Sequence, residues 1–224
     1  MQAAGQAGTV LAMTAREIQP APGPVRGRIR PPGSRSVTNR ALVVAALADG
    51  ESVLEGVGFS DDTRVCASAL SALGIPVTVD EDARRMTVAG CGLSVPGGPR
   101  DLYTGESGTA TRFIAALAAA GEGRYRIDGA PRMRERPIQD LLDGLAALGA
   151  KAESEAGTGC PPVVVETSGL AAGTVTVRGA VSSQYLSALL MAAPAADGPV
   201  TIEVDGELVS KPFVDMTLAV MAAF

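Results

Sequence analysis

Three segments of the chain share one design, a Gly/Ser/Thr-rich turn running into an Ala/Leu-rich helix, and they recur at a near-constant interval. The first is Gly33-Ser-Arg-Ser-Val-Thr-Asn-Arg-Ala-Leu-Val-Val-Ala-Ala-Leu47. The second is Gly105-Glu-Ser-Gly-Thr-Ala-Thr-Arg-Phe-Ile-Ala-Ala-Leu117, and the third Val181-Ser-Ser-Gln-Tyr-Leu-Ser-Ala-Leu-Leu-Met-Ala-Ala193. Placing Asn39, Thr111 and Gln184 in register gives spacings of 72 and 73 residues. A second helix recurs in phase: Thr63–Leu73 and Ile138–Leu148 each run directly into a glycine, and Val214–Phe224 occupies the equivalent place.

Strand-like stretches follow the same beat. Ser52–Glu55, Tyr125–Asp128 and Thr201–Val204 each follow a first helix. After the second helix come the pairs Val77–Asp80 with Met86–Ala89, and Ala152–Glu155 with Val163–Glu166; the third repeat shows no such pair. The pattern predicts an α/β fold of three βαβαββ-like units, the third incomplete, so that the chain is expected to end mid-domain. One such unit cannot bury its apolar face alone, and stacked neighbours share a core. Hydrophobic residues make up 46% of the chain, aromatics 3%, and Trp is absent, so that core is built from Ala, Val and Leu.

Composition excludes several chemistries. The chain has no His, which removes Ser-His-Asp catalysis, a histidine base and every His-ligated metal site. Cys66, Cys91 and Cys160 are odd in number and never paired as C-x-x-C, so they read as reduced thiols of a cytoplasmic protein, with no metal expected. A net charge of −5 argues against nucleic-acid binding, and no apolar run approaches the roughly 20 residues that span a bilayer. Residues 1–14 lack the charged start of a signal peptide and read as a disordered extension. Pro20, Pro22, Pro24, Pro31 and Pro32 break up residues 15–33, where short extended pieces such as Val25–Ile29 fit better than helices.

The three turn-to-helix junctions are the candidate sites. A helix N-terminus presents unpaired N–H groups and partial positive charge to an anion. Hydroxyls and basic groups gather there: Ser34, Arg35, Ser36 and Arg40; Ser107, Thr109 and Arg112; Ser182, Ser183 and Gln184. The plain alternative is that the Ser and Thr residues are N-caps and the Arg residues sit on solvated faces. Arg132-Met-Arg134-Glu-Arg136-Pro is either a phosphate clamp or a solvated charge run. With neither G-x-x-x-x-G-K-[ST] nor a strand-linked G-x-G-x-x-G, the anions implied are phosphates on small metabolites.

Six blocks resemble, in order and spacing, the signature blocks of the 5-enolpyruvylshikimate-3-phosphate synthase family: the segment Gly33 to Leu42, Ser60-Asp-Asp-Thr-Arg64, Gly108-Thr-Ala-Thr-Arg112, Pro131 to Ile138, Val181 to Met191, and Val209-Ser-Lys-Pro-Phe-Val-Asp215. The resemblance covers about residues 16 to 224. It implies a two-lobed enzyme with three βαβαββ units per lobe and the active site in the cleft between them. Residues 34–224 would be the shikimate-phosphate-binding lobe, truncated at its C-terminal end, and residues 15–33 an extended segment belonging to the other lobe. The implied reaction moves the enolpyruvyl group of phosphoenolpyruvate to the 5-hydroxyl of shikimate 3-phosphate by addition and elimination, without a cofactor. Carried over by motif, Ser36, Arg40, Ser182, Ser183, Gln184 and Ser210 would hold shikimate 3-phosphate. Arg35, Gly108, Arg136 and Gln184 would face phosphoenolpyruvate. The acid/base groups would lie in the other lobe, so no catalytic residue is expected in this chain. A separately encoded second lobe is one implied partner; the full enzyme would be a cytoplasmic monomer without nucleic-acid or membrane partners.

Three positions depart from the family pattern: Arg35 stands for Lys, Glu106 for Asn and Phe213 for Tyr. Arg35 and Glu106 map to one phosphate-facing site, and a bond between them would cancel the added carboxylate. Two other readings stay open: the sister transferase acting on UDP-N-acetylglucosamine, whose first block typically reads Ser-Lys-Asn and which lacks the Ser-Ser-Gln block, and a non-catalytic anion-binding lobe.

Overall fold

The computed structural model of the chain describes residues 17–224. The extension expected over residues 1–14 lies outside the described residues. Two units separate, the first ending at Pro31 and the second running from Pro32 to Phe224. Residues 17–31 are exposed and carry neither helix nor strand. Closely spaced prolines remove helix and ladder donors there, and no helix forms at Val25–Ile29.

The second unit is the three-fold repeat. Its first member comprises α1 (Arg35–Leu47), β1 (Glu51–Glu55), α2 (Asp61–Leu73), β2 (Val77–Asp80) and β3 (Arg85–Ala89). Its second is a full βαβαββ series: β4 (Arg100–Tyr103), α3 (Gly108–Ala119), β5 (Glu122–Asp128), α4 (Gln139–Ala147), β6 (Lys151–Ser154) and β7 (Val163–Ser168). A 3₁₀ turn over Pro131–Glu135 precedes α4. The third comprises β8 (Gly173–Arg178), α5 (Ser183–Ala192), β9 (Val200–Asp205) and α6 (Lys211–Met221).

The sheets are parts of one template. The second member's sheet runs β4-β5-β7-β6, with β4 parallel to β5 (Leu102 opposite Ile127) and the other pairs antiparallel. The first member shows the antiparallel part, β1-β3-β2, and the third the parallel part, β8-β9, with Val175 opposite Ile202. Strands β4 and β8 precede the first helices and add to the elements predicted from sequence. β4 is four residues long with only Leu102 buried, too little for a period to show. β8 buries Val175 and Val177 in strict alternation.

Local chemistry sets the helix ends. Ser60 and Thr63 form a reciprocal capping box at the start of α2, and Gly74 closes it at φ 104°, a left-handed conformation that favours glycine. Asp61 and Asp62 sit in its first turn, where the helix dipole favours carboxylates. α3 is buried from Ala110 to Ala119, which explains its alanine content: small side chains let α1, α2, α4 and α5 approach from all sides. The core joins Leu42 and Val43 of α1, Leu70 of α2, Phe113 and Ile114 of α3, Leu145 of α4 and Leu189 of α5 in one cluster. Deleting such a side chain to alanine costs about 2–5 kcal/mol.

A parallel crossover from β4 through α3 to β5 returns α3 to the sheet with its N-terminus beyond the strands' carboxyl ends; β8, α5 and β9 repeat the arrangement. Ligands of open α/β sheets bind at that end. In the first member the turn into α1 packs there backbone to backbone: a side chain on Gly33 would collide with the Gly56 carbonyl, and one on Gly58 with that of Gly33. That contact sets the N-terminus of α2 beside that of α1.

Candidate functional site: an arginine cluster at three helix N-termini

The two roles weighed for the junction hydroxyls coexist. Ser34 Oγ accepts from Val37 N–H at 3.4 Å, Ser107 Oγ from Ala110 N–H at 3.1 Å and Ser182 Oγ from Gln184 N–H at 3.2 Å. A cap occupies one lone pair, so each O–H remains free to donate to an anion. Ser210 differs. It precedes α6 in the left-handed region, at φ 56°, and makes no capping bond with its side chain. Such backbone strain concentrates at functional positions, and here it keeps the hydroxyl available.

Ser36, Arg40, Thr109, Ser182, Ser183, Gln184, Ser210 and Phe213 line one cleft of about 230 Å³, with Val181 and Val209 at its edge. All six residues expected to hold shikimate 3-phosphate are therefore brought together. A larger cavity, about 1070 Å³, lies between α1, β1 and the end of α6; Val53, Leu93, Met221 and Phe224 line it, and none of the candidate residues does.

Arg40 is only 2% exposed. Its Nε donates to Thr217 Oγ1 at 2.7 Å, Nη1 to the Ser36 carbonyl at 3.0 Å and Nη2 to Ser187 Oγ at 3.2 Å. The guanidinium lies 5.3 Å from the centroid of the Phe113 ring and 5.8 Å from that of Phe213, so the ring at the third departing position covers the cation. Arg112 is the same device one repeat on. Its Nη1 donates to the Gly108 carbonyl at 2.9 Å, four residues back as Arg40 does to Ser36, and to Gln184 Oε1 at 2.8 Å. Nη2 donates to the Pro137 carbonyl at 2.9 Å, and the guanidinium stacks 5.2 Å from the Tyr185 ring. Burial lowers the pKa of both guanidinium groups from the ordinary arginine value; Tyr185 works against this at Arg112, and the neighbouring charge of Arg136 adds to it. Both groups stay charged at neutral pH.

Gly108 explains how two cations share this corner. A Cβ there would sit 2.7 Å from Arg112 Nη1 and from the Cζ and Nη1 of Arg136. Arg136 is therefore packed over the glycine beside Arg112. Of the two readings of the Arg132–Arg136 run, clamp or solvated charges, the second holds for Arg132 and Arg134. Arg134 turns away to grip Asp128 with Nε and Nη2, at 3.2 and 2.8 Å, and Arg132 is exposed. Residues two apart in a 3₁₀ turn point in different directions, which leaves only Arg136 facing the glycine.

Arg35 is not joined to Glu106. Its Nη1 donates to Asp62 Oδ2 at 2.7 Å, and Glu106 is exposed and forms no ion pair among the described residues. The Gly33–Gly58 contact causes this, because it delivers Asp62, in the first turn of α2, to the start of α1.

In the repeat unit Arg35, Arg64, Arg85, Arg124, Arg126, Arg134 and Arg178 are all in ion pairs. Among the described residues Arg84, Arg100 and Arg132 have no carboxylate partner but stand away from the junctions, and Arg40, Arg112 and Arg136, which gather at them, have none either. Three cations without carboxylates, beside hydroxyls and a carboxamide, are suited to binding and orienting an anion. Among the described residues no cluster of His, Cys, Asp or Glu is placed to hold a metal ion. Sequence reasoning placed Arg112 at a candidate junction but assigned it no ligand, although the repeat marks it: it stands 72 residues after Arg40 in the same phase. Thr217 and Ser187 were also missed, since a buried hydroxyl in a helix has no sequence signature.

The EPSP synthase (3-phosphoshikimate 1-carboxyvinyltransferase) family model matches residues 20–224. The chloroplastic 3-phosphoshikimate 1-carboxyvinyltransferase of Solanum lycopersicum is 46% identical over 208 residues, 89% of this chain and 40% of that protein. The Nostoc punctiforme protein of the same name is 46% identical over 90% of this chain and 47% of its own length. The chain thus spans about half the length of the curated relatives it matches. For the fold alone, EPSP synthase from Acinetobacter baumannii superimposes with a TM-score of 0.72 at 24% identity, covering 80% of this chain and 40% of that one. The enolpyruvyl transferase NikO from Streptomyces tendae does so at 0.57 and 20%, over 82% and 42%. The fold is thus that of an enolpyruvyl transferase lobe, and the chain belongs to the EPSP synthase (3-phosphoshikimate 1-carboxyvinyltransferase) family.

Proposed function

We propose that this chain is the substrate-gripping half of a 3-phosphoshikimate 1-carboxyvinyltransferase, working in the shikimate pathway towards aromatic amino acids. Ser36, Arg40, Ser182, Ser183, Gln184 and Ser210 hold shikimate 3-phosphate, and Arg35, Gly108, Arg136 and Gln184 face phosphoenolpyruvate. The observation that carries this reading is the set of three arginines without carboxylates beside a cleft lined with hydroxyls. The cleft, at about 230 Å³, falls below the roughly 300–1,000 Å³ of complete small-molecule sites, as one wall of a two-walled site would.

In this reaction the 5-hydroxyl gives up its proton as its oxygen adds to C2 of phosphoenolpyruvate, and C3 gains a proton. The C2–O bond to phosphate then breaks, C3 loses a proton, and inorganic phosphate leaves. The chain's own share is orientation and electrostatics: it fixes two anions against each other and stabilises charge on the departing phosphate. The proton-transfer groups come from the second lobe, whether on the same polypeptide or a separate one, in a cytoplasmic enzyme that acts as a monomer.

Two measurements test the reading. Calorimetric titration of the 224-residue chain with shikimate 3-phosphate should give a weak but saturable signal, which Arg40→Ala reduces by about tenfold or more. Unchanged affinity in that variant overturns the assignment. A phosphate-release assay with both substrates should show no turnover by the chain alone.

A further inference from the structure

Three arginines of the chain show how its charged forks are normally held. Arg64 meets Glu81, Arg126 meets Glu155 and Arg134 meets Asp128, in each case with Nε and Nη2 donating to the two oxygens of one carboxylate. Arg40 uses the same edge of its guanidinium differently. Nε donates to Thr217 Oγ1 and Nη2 to Ser187 Oγ, and these two oxygens are themselves hydrogen-bonded at 2.8 Å. Thr217 and Ser187 are both 0% exposed.

No carboxylate takes part. The Thr217 O–H is directed at the Phe213 carbonyl, within its own helix, and at Ser187 Oγ, each at 2.8 Å. Thr217 Oγ1 and Ser187 Oγ both keep lone pairs that accept from Arg40. Of the five guanidinium N–H groups, three are fixed: on Thr217, on Ser187 and on the Ser36 carbonyl. Two remain, one on each terminal nitrogen of a side chain that lines the cleft.

We propose that Thr217 and Ser187 are positioning residues that stand in for a carboxylate: they hold the Arg40 fork as an acidic partner would, while leaving its positive charge to the anion in the cleft. The inference rests on the reading that Arg40 binds shikimate 3-phosphate, and it goes further by saying why the buried cation keeps its affinity. An acidic residue at either position would hold the fork equally well and cancel the charge the substrate needs. The pair also spans separate elements. Thr217 is on α6 and Ser187 on α5, while Arg40 is on α1, so both outer repeats must be docked before the fork is set.

The test is a titration of the 224-residue chain and its variants with shikimate 3-phosphate, together with the NMR signal of the Arg40 Nε–H. Thr217→Val, which keeps the shape and removes the acceptor, should weaken binding by about tenfold and shift the Nε–H resonance or abolish its protection from exchange. Thr217→Ser should restore both. Ser187→Asp should leave the melting temperature unchanged or higher yet weaken binding by about tenfold or more, because it completes a true ion pair. If Thr217→Val does not fold, Ser187→Ala, which removes the Nη2 acceptor alone, serves in its place with the same expectation. Wild-type affinity in Thr217→Val or in its Ser187→Ala substitute, or in Ser187→Asp, would overturn the proposal while Arg40→Ala still weakens binding. If Arg40→Ala also binds normally, the functional reading itself fails.

Discussion

Arg112 Nη1 donates to the side-chain carbonyl of Gln184 at 2.8 Å, across 72 residues of sequence, and so ties α3 to the first turn of α5. With Oε1 held, the Gln184 amide nitrogen is left toward Thr109, at 3.4 Å, and toward the cleft. Arg112→Lys keeps the charge but loses the fork that reaches Gly108, Gln184 and Pro137 together. We expect a loss of about 1–3 kcal/mol of stability in urea unfolding. A double-mutant cycle with Gln184→Ala should show coupling of about 1 kcal/mol, and additive effects would contradict the tie.

The Arg35–Asp62 pair is half in solvent, with 66% and 23% of the two side chains exposed, and so contributes little stability. Asp62→Asn should change unfolding free energy by less than about 1 kcal/mol. It should also release Arg35 toward incoming phosphate and raise the chain's affinity for phosphoenolpyruvate. Glu106→Asn should leave that affinity nearly unchanged, because Glu106 is exposed and unpaired with Arg35. A larger gain from Glu106→Asn than from Asp62→Asn would reverse this ordering.

Acid stability should depend on Asp128. Burial pushes its carboxyl pKa up, but hydrogen bonds from Arg134 and the Gly129 N–H, with the charges of Arg134 and Arg126, outweigh that and lower it overall. A carboxylate with a depressed folded-state pKa adds stability above its unfolded value, near 3.9, and loses it as pH falls through the folded value. Wild-type protein should therefore lose stability more steeply than Asp128→Asn as pH drops below about 4. Parallel pH profiles in urea unfolding would contradict this.

Thiol labelling offers a check on the packing. Burial, helped by Asp62, pushes the Cys66 thiol up to about 12, whereas Cys91 and Cys160 are only half-buried. A thiol-specific reagent at pH 8 should modify Cys160 and Cys91 in the native chain and reach Cys66 only on unfolding.

The repeat was the most legible feature of the sequence. Turn chemistry and Ala/Leu periodicity are local, so the six helices, seven of the nine strands and the three junctions were plain in it. β8 carried a usable signal in the alternation of Val175 and Val177, while β4 is too short and too charged to carry one. The cleft residues were reached by motif, and the fold does bring Ser36, Arg40, Ser182, Ser183, Gln184 and Ser210 together. What sequence could not supply was pairing across the fold. Arg35 meets Asp62 and not Glu106 because two glycine backbones touch, and Arg40 meets Thr217 from 177 residues away. Neither choice leaves a local trace.

The central claim is that the three junctions form one anion-binding wall. The most direct test is a chemical-shift map of the ¹⁵N-labelled 224-residue chain titrated with shikimate 3-phosphate. The account predicts saturable shifts concentrated at Ser36, Arg40, Ser182, Ser183, Gln184 and Ser210, from the first and third repeats, and at Thr109, which lines the same cleft from the second. Shifts confined to one junction, or centred on the apolar cavity around Val53, Leu93 and Phe224, would contradict it.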